Sequence, residues 1–538
     1  MQKMKQIYSL VLGCAALLST FSCSDDKFSD QYQNPEQAQS VTCPGVMVGL
    51  WQACNTWMNP VYYRYYVSST TSGRFSGVIG HTNDKGRFTG AGTTYFNERW
   101  KNFYTTLAQY RLLEQTYNNL TDKEKEDNEI FLHLGRTVLE EQLYEVLSLW
   151  GSLPFSEAGY LWSTGDIVSS KPKYDSETEL YSMILKDLDE TNTYLNNHPS
   201  LSSSAATYMT AEDYVNKGDV SMWQRYVNSL RLRVATHLAS NGDLTSEARS
   251  AIQTMLSNPS TYPMVDTNAE NTTVAQSDDA FNFDKDLQDA IENSTYNRMS
   301  GFMQRALNAN TDNPDPRLEV LYDANWDNQY IGLDPTESAA DQEANMAIST
   351  HGTAKYYAAL DTSTFTRNPG FPGIWMTAAE VAFMKAEAYA NNWASGDAKA
   401  AYIDGVKLST EFYFNLNSTG TYRTALPAPD DATVEAYAES QWDASNPLKS
   451  ILTQRWIHHG AIQELEAWNV VRRTGYPELY FKRDPQTADT PLPLNRLEYT
   501  SDEKDYNQES LNAFLNGKED SWYTTLFWMK SDWYKVIE

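Results

Sequence analysis

Two helical signals lie back to back between Tyr95 and Trp150, and together they commit this part of the chain to helix packed on helix. From Tyr95 to Tyr117, residues Phe96, Trp100, Phe103, Tyr104, Leu107 and Tyr110 recur at close to 3.6 positions, which gathers them on one face. Thr121 then opens a second helix as a capping box. Its hydroxyl and the Glu124 carboxylate three residues on can satisfy each other's orphan backbone N–H groups. That helix is predicted to reach Trp150, where Gly151 and Pro154 break it. Helices are also predicted over Asp175–Asn196, with Leu180, Ile184, Leu188 and Leu195 on one stripe, over Ser221–Ala239 and over Thr377–Asn392.

The last of these carries Ala378, Ala379, Ala382, Ala386, Ala388 and Ala390, so a neighbour can pack close to its backbone. After Ser395-Gly396 a further helical pattern runs over Asp397–Glu411. Two antiparallel helices with small residues at the contact points look like a tetratricopeptide-type hairpin. No strict 34-residue period repeats along the chain, so the expected class is mainly α: a degenerate helical scaffold with long loops. Two regions, about 59–94 and 255–370, are poorly periodic and rich in Gly, Asn, Thr, Asp and aromatics. Loops of that length inside a folded protein are usually functional.

Charge narrows the class of partner. The 538 residues hold 42 Lys+Arg against 70 Asp+Glu, a net charge of −28. Binding to phosphate backbones draws on lysines and arginines that displace counterions, so a nucleic-acid partner is excluded. Attachment to an anionic lipid surface by charge alone is excluded for the same reason. Disorder is excluded by the 35 Tyr, 19 Phe and 15 Trp, because acidic unfolded chains are poor in aromatics.

The first residues read as an export signal, 1–22. Lys3 and Lys5 precede an apolar run, Ile7–Leu18, that is too short to span a bilayer. Leu18 to Cys23 resembles a bacterial lipobox, with Phe21 where a smaller residue is usual, so Cys23 is the expected lipidation site. Residues 23–41 read as a polar tether, and 42–538 as a single helical domain. With Cys14 lost in the signal and Cys23 acylated, Cys43 and Cys54 remain. If one helix holds both, they lie roughly 16 Å apart, beyond the ~7 Å that a disulfide tolerates.

The chain has seven histidines (His81, His133, His198, His237, His351, His458 and His459). None forms HExxH, and the sequence holds no Cys-x-x-Cys, GxSxG, P-loop or GxGxxG. His458 and His459 point to different faces of a helix and read as structural or surface residues. With 70 acids, two carboxylates at glycosidase spacing carry almost no information in sequence. Asp323, Asn325 and Asp327, with Asp334 at the twelfth position, imitate an EF-hand loop. Asn328 replaces its turn glycine, however, and Asp334 its bidentate Glu. No catalytic residue, metal ligand or cofactor is assigned.

The aromatics in the two long regions are the better candidates. Val61 to Tyr66 contains four tyrosines and is followed by Arg74, Phe75, His81 and Phe88, while Trp326 and Tyr330 lie in the second region. Flat rings stack on sugar rings or grip peptide side chains while nearby polar groups set orientation. The expected ligand-binding residues are Tyr65, Tyr66, Arg74, Phe75, His81, Phe88, Trp326 and Tyr330.

Nine short segments, taken in order, resemble the SusD/RagB family of surface lipoproteins. Trp150–Ala158 (WGSLPFSEA) is similar to that family's "yGdvPyseA" turn, and Lys173–Tyr181 with Leu185–Leu188 to the helix that follows it. Gly218-Asp219, Trp223 and Asn228–Arg233 (NSLRLR) carry the most specific likeness. Asp315–Leu318, Ala379–Ala388, Gly405–Ser409, Gln454–Trp456 with Glu466–Trp468, Arg472–Pro477 and Pro493–Arg496 continue it, with Arg455 where Lys is usual. Ser24-Asp25-Asp26 after the lipobox is similar to the surface-export signal of Bacteroidota lipoproteins. The resemblance implies an irregular α-helical SusD-like fold with tetratricopeptide-like hairpins. It also implies a lipid-anchored protein on the exterior of the outer membrane, a lid on a SusC-like TonB-dependent barrel that captures oligosaccharides or oligopeptides without chemistry. No family ligand residue maps onto these motifs. A surface glycan hydrolase and an adhesin without a transporter are the competing readings.

Overall fold

The Thr121 N–H donates to Glu124 Oε2 at 2.9 Å, and the helix it caps runs from Asp122 to Trp150, ending at Gly151 with φ +81°. In the computed structural model, residues 41–58, 61–167, 170–276, 286–292, 298–348 and 356–538 are described. The signal (1–22), Cys23 and the tether up to residue 40 lie outside them. Among the described residues, Cys43–Glu538 make one compact unit.

The protein is mainly α. Helices of eight or more residues among the described residues are α1 (Cys43–Met58), α2 (Tyr62–Thr70), α3 (Thr93–Asn118), α4 (Asp122–Trp150), α5 (Glu177–Asn197), α6 (Ser203–Glu212), α7 (Val220–Leu238), α8 (Thr245–Ser257), α9 (Ala339–Ile348), α10 (Ala378–Ala390), α11 (Ala398–Thr419), α12 (Asp431–Ser440), α13 (Pro447–His459), α14 (Glu464–Thr474) and α15 (Gln508–Leu515). Strands are short and paired in twos. β1 (Leu153–Pro154) pairs with β2 (Tyr174–Asp175), β3 (Thr272–Val274) with β6 (Gly373–Met376) and β4 (Tyr322–Asp323) with β5 (Ala359–Leu360), all antiparallel; β7 (Leu479–Lys482) and β8 (Tyr534–Ile537) are parallel.

The predicted helices form close to their expected bounds because their caps are local. Ser176 accepts from the Glu179 N–H to start α5, Asp219 from Ser221 and Met222 to start α7, and Thr377 from Glu380 to start α10. The predicted Asp397–Glu411 helix continues to Thr419, since Phe412, Tyr413, Phe414 and Leu416 keep burying its inner face. Cys43 and Cys54 both sit in α1, buried and free.

Helices α10 and α11 form the close hairpin that their small residues predict. A Cβ at Gly405 would fall 2.6 Å from Phe383 Cε1, a distance no real Cβ contact shows, so only glycine permits this approach. Ala379, Phe383 and Ala386 pack there with Tyr402 and Val406.

The segment Asn228–Arg233 of α7 ties three layers together. Asn228 donates to Asn192 on α5 and to the Pro263 carbonyl, Arg231 to Asp189 on α5, and Arg233 to Glu141 on α4 and Glu380 on α10. Asp315 and Arg317 form a second fully buried pair, which reaches Ser409 on α11. Buried charges of this kind must be paired, because leaving either partner alone in the core costs several kcal/mol.

The two regions expected as long loops are corrected by the structure. Region 59–94 contains α2 and a helical turn, Ser72–Phe75. Region 255–370 contains the end of α8, β3, β4, β5, α9 and the helical turns Gly301–Ala306 and Leu318–Leu321. These elements are short and gain their stability from tertiary burial, so they leave little periodicity to read. His458 and His459 are both fully buried, which removes the surface reading. His458 lies between Thr377 Oγ1 (2.7 Å) and Ser409 Oγ (2.9 Å), and His459 lies beside Gln463 and Arg455.

Candidate ligand-binding site

Helix α2 sorts its tyrosines by face. Tyr62 and Tyr66, one turn apart, stack with centroids 5.5 Å apart, and Tyr66 stacks on Tyr95 of α3 at 4.4 Å. Tyr63, 45% exposed, leans on the same Tyr95 ring at 5.8 Å. The four rings make a partly exposed aromatic platform. Tyr65 lies on the opposite face, 3% exposed, with its ring against Phe371. Helical geometry turns it inward, so it offers no surface to a ligand.

Phe75 and Phe88 are also core residues. Phe75 packs edge-on to Trp468, and Phe88 to Phe481. Arg74 and His81 are half-buried and line a small crevice together with Ser300 and Phe302. Burial, reinforced by Arg74 and Arg87, holds the His81 imidazole well below its ordinary pKa, so the ring is neutral at pH 7.

Trp326 is 62% exposed at the tip of a turn that Asn325 builds. Asn325 Oδ1 accepts from the N–H groups of Asp327 (3.0 Å) and Gln329 (2.8 Å), and Asn328 takes φ +57°. Tyr330 is half-buried behind it, fixed by reciprocal bonds between its backbone and Asn310. The EF-hand-like positions diverge. Asp323 accepts from Thr362 and pairs with Arg423, while Asp334 pairs with Arg305. Among the described residues, no group of three or more His, Cys, Asp or Glu is arranged around a metal position.

A trail of contacts runs from the tyrosine platform to Trp326. The Tyr62 N–H is bonded to the Asp286 carboxylate, and the same segment's Glu292 pairs with Arg367 at 2.5 Å. The Arg367 guanidinium lies 5.0 Å from the centroid of Tyr422, which is 52% exposed. Next along the chain, Arg423 bridges Asp361 and Asp323, the latter three residues before Trp326. Burial first, and the neighbouring Asp323 second, raise the Asp361 carboxyl above the ordinary value, while Arg423 opposes them. Tyr95, Tyr422, Arg367 and Arg423 escaped sequence reading because they lie outside the two long regions or at the far end of long-range pairs. The run Gly420-Thr-Tyr-Arg after α11 was the one available signal.

Several buried carboxylates sit in ion pairs. Arg233 holds Glu141 and Glu380, and Arg455 and Arg473 hold Glu387. The fold and site together define a helical scaffold protein that presents a face of stacking rings and half-exposed ion pairs, the equipment of a binding protein. The chain belongs to the SusD-like family: the family model described as "Starch-binding associating with outer membrane" matches residues 54–500. Membership places the protein at the outer membrane, and among the described residues no helix is long and apolar enough to cross a membrane.

Solved structures give the same fold. A chitin-binding protein superposes with a TM-score of 0.71 at 20% identity, over 90% of this chain and 99% of that one. A SusD homologue from Parabacteroides distasonis gives 0.70 at 20% identity, over 92% and 99%. A chitin-binding SusD homologue from Flavobacterium johnsoniae gives 0.64 at 19% identity, over 90% and 98%. A sequence search of curated proteins finds no match.

Proposed function

We propose that this protein captures oligosaccharides on the aromatic face and serves as the substrate-binding lid of a SusC-like TonB-dependent transporter, held to the outer membrane by acylated Cys23. The observation that carries the reading is the graded platform of Tyr62, Tyr63, Tyr66 and Tyr95, with Trp326 exposed at the other end of the contact trail. Exposed rings such as Tyr63 and Trp326 fit the apolar faces of sugars, and the ion pairs of Arg367 and Arg423 supply donors to hydroxyls. The family's starch-binding description and the chitin-binding names of two structural relatives support a glycan over a peptide. Of the expected ligand residues, the reading keeps Tyr66, Trp326 and Tyr330, while Arg74 and His81 line the separate crevice with Ser300. A lid also needs an interface. The loop with Tyr160, Leu161, Trp162 and Ile167 all exposed is apolar surface that an isolated protein would rather cover.

The test is native mass spectrometry of residues 24–538 with pooled oligosaccharides and, separately, oligopeptides, followed over time. Intact glycan complexes without new products support the reading. Peptide complexes alone would replace the ligand class, and shortened products that scale with protein would mean a hydrolase. Co-purification with an outer-membrane barrel separates a lid from an adhesin.

A further inference from the structure

The guanidiniums of Arg367 and Arg423 are already committed to carboxylates of the chain itself. Arg367 grips Glu292 with a fork, Nε to Oε2 at 3.2 Å and Nη2 to Oε1 at 2.5 Å. Arg423, its side chain 47% exposed, turns Nη2 inward and pairs with Asp323 Oδ1 at 2.5 Å and with Asp361 Oδ2. Those two carboxylates are held in place from behind. Asp361 is fully buried, and its Oδ1 accepts from the Thr364 N–H at 2.6 Å. Asp323 Oδ2 accepts from the N–H and the hydroxyl of Thr362. Drawing Arg423 out toward a bound anion would leave Asp361 buried without its cation, a change that a buried ion pair resists strongly.

The balance beside Trp326 is acidic. In these pairs two guanidiniums face three carboxylates, and exposed Asp327 and Glu319 add to the acid side. The Tyr330 phenol sits in that field. Burial first, and then Glu319, Asp323 and Asp361, push its pKa up to about 12, while Arg423 opposes them. A sugar hydroxyl suits such a surface, because it accepts from a guanidinium edge and donates to a carboxylate. A uronate or sulfate only accepts. Sites that hold such anions offer an arginine fork free to bind them, and Arg367 has turned its fork to Glu292. The anion would also meet like charge at short range, where partial exclusion of water strengthens the repulsion.

We propose that Glu292, Asp323 and Asp327 set the charge class of the ligand: by holding Arg367 and Arg423 and by standing beside Trp326, they select uncharged oligosaccharides and reject chains that carry uronate or sulfate groups. The inference rests on the glycan reading of the aromatic face and adds the chemical class that the face discriminates against. Glu292 and Asp323 act by occupying the two arginines, and Asp327 acts by its own charge.

The experiment is calorimetric titration of residues 24–538 with malto-, cello- and N-acetylchito-oligosaccharides, each beside the same chain oxidised at C6 to a uronate. At least one uncharged chain is expected to bind, about tenfold or more tighter than its uronate form. The gap should narrow in about 0.5 M NaCl, which screens exposed charges. Glu292→Gln releases the Arg367 fork and should reduce the ratio of the two affinities about fivefold. Asp327→Asn, on an exposed turn, is the second variant should the first disturb the fold, with a reduction of about threefold. Equal binding of the two forms overturns the selection and leaves the glycan reading standing. A ratio that salt does not narrow, or that neither variant reduces, overturns it in the same way. Binding of no chain in either form overturns the glycan reading and the selection together.

Discussion

Arg233 grips Glu380 with two parallel hydrogen bonds, Nε to Oε1 at 2.8 Å and Nη2 to Oε2 at 2.7 Å, in a core where neither side chain is more than 2% exposed. The same guanidinium donates to Glu141 and to the Trp375 carbonyl, so α4, α7, α10 and β6 meet on one side chain. Arg233→Ala takes the guanidinium from two buried carboxylates, leaving Glu141 only Tyr226 and Glu380 only the more distant Arg455, and is expected to destabilise the protein by about 3–5 kcal/mol. Urea unfolding checks this; a midpoint within error of wild type would show that the network contributes nothing.

Glu464 makes stability depend on pH. It is 1% exposed, and burial pushes its carboxyl up to about 8, against weaker opposing effects of its own backbone, Arg64 and Ser68. The folded protein thus keeps a proton that the unfolded chain, with its ordinary value near 4.5, has released. Stability from this group is full below about 4.5 and is lost as pH rises through about 8, at up to about 1.4 kcal/mol per pH unit. His458 and His459, held well below their ordinary value chiefly by burial, act in the opposite sense below about 6.5 but are common to both proteins compared. The unfolding free energy of wild type minus that of Glu464→Gln should therefore fall steadily between pH 5 and pH 8. Parallel profiles would refute the assignment.

Trp326 and Tyr65 should respond oppositely to truncation. Trp326→Ala removes an exposed ring, so glycan affinity should drop about tenfold while unfolding changes by less than about 0.5 kcal/mol. Tyr65→Ala opens a cavity beneath α2 and should cost about 3–5 kcal/mol of stability. Calorimetric titration and denaturation of both variants check the pair. A Tyr65→Ala protein of full stability with lost binding would reverse the placement of the two rings.

Anchoring is testable without the ligand. Cys23→Ser removes the thiol that acylation needs, and the protein should leave the outer-membrane fraction for the soluble one. Fractionation with metabolic palmitate labelling reads this directly; a membrane-bound, unlabelled variant would mean that protein contacts alone hold it.

Residues whose partners are close in sequence could be read before folding. Thr121 and Glu124 are three apart, Asp219 caps α7 through the next three residues, and Gly151 stops α4 through its own backbone, so these helix ends were legible. The alanines of α10 foretold a close neighbour. The Arg233–Glu380 pair spans 147 positions and gave no local sign.

The site was legible only in part, for the same reason. Sequence placed four tyrosines together at Tyr62–Tyr66, but whether Tyr65 or Tyr66 faces out depended on Phe371 and Tyr95 arriving from distant segments. Phe75 and Phe88 were drawn inward by Trp468 and Phe481, nearly 400 residues along the chain. Tyr422 and Arg423 joined the face only because Arg367 and Asp361 pack beside them. Short-range hydrogen bonds and helical period are written into neighbouring residues. Burial belongs to whichever distant surfaces meet, and only the tertiary structure decided that.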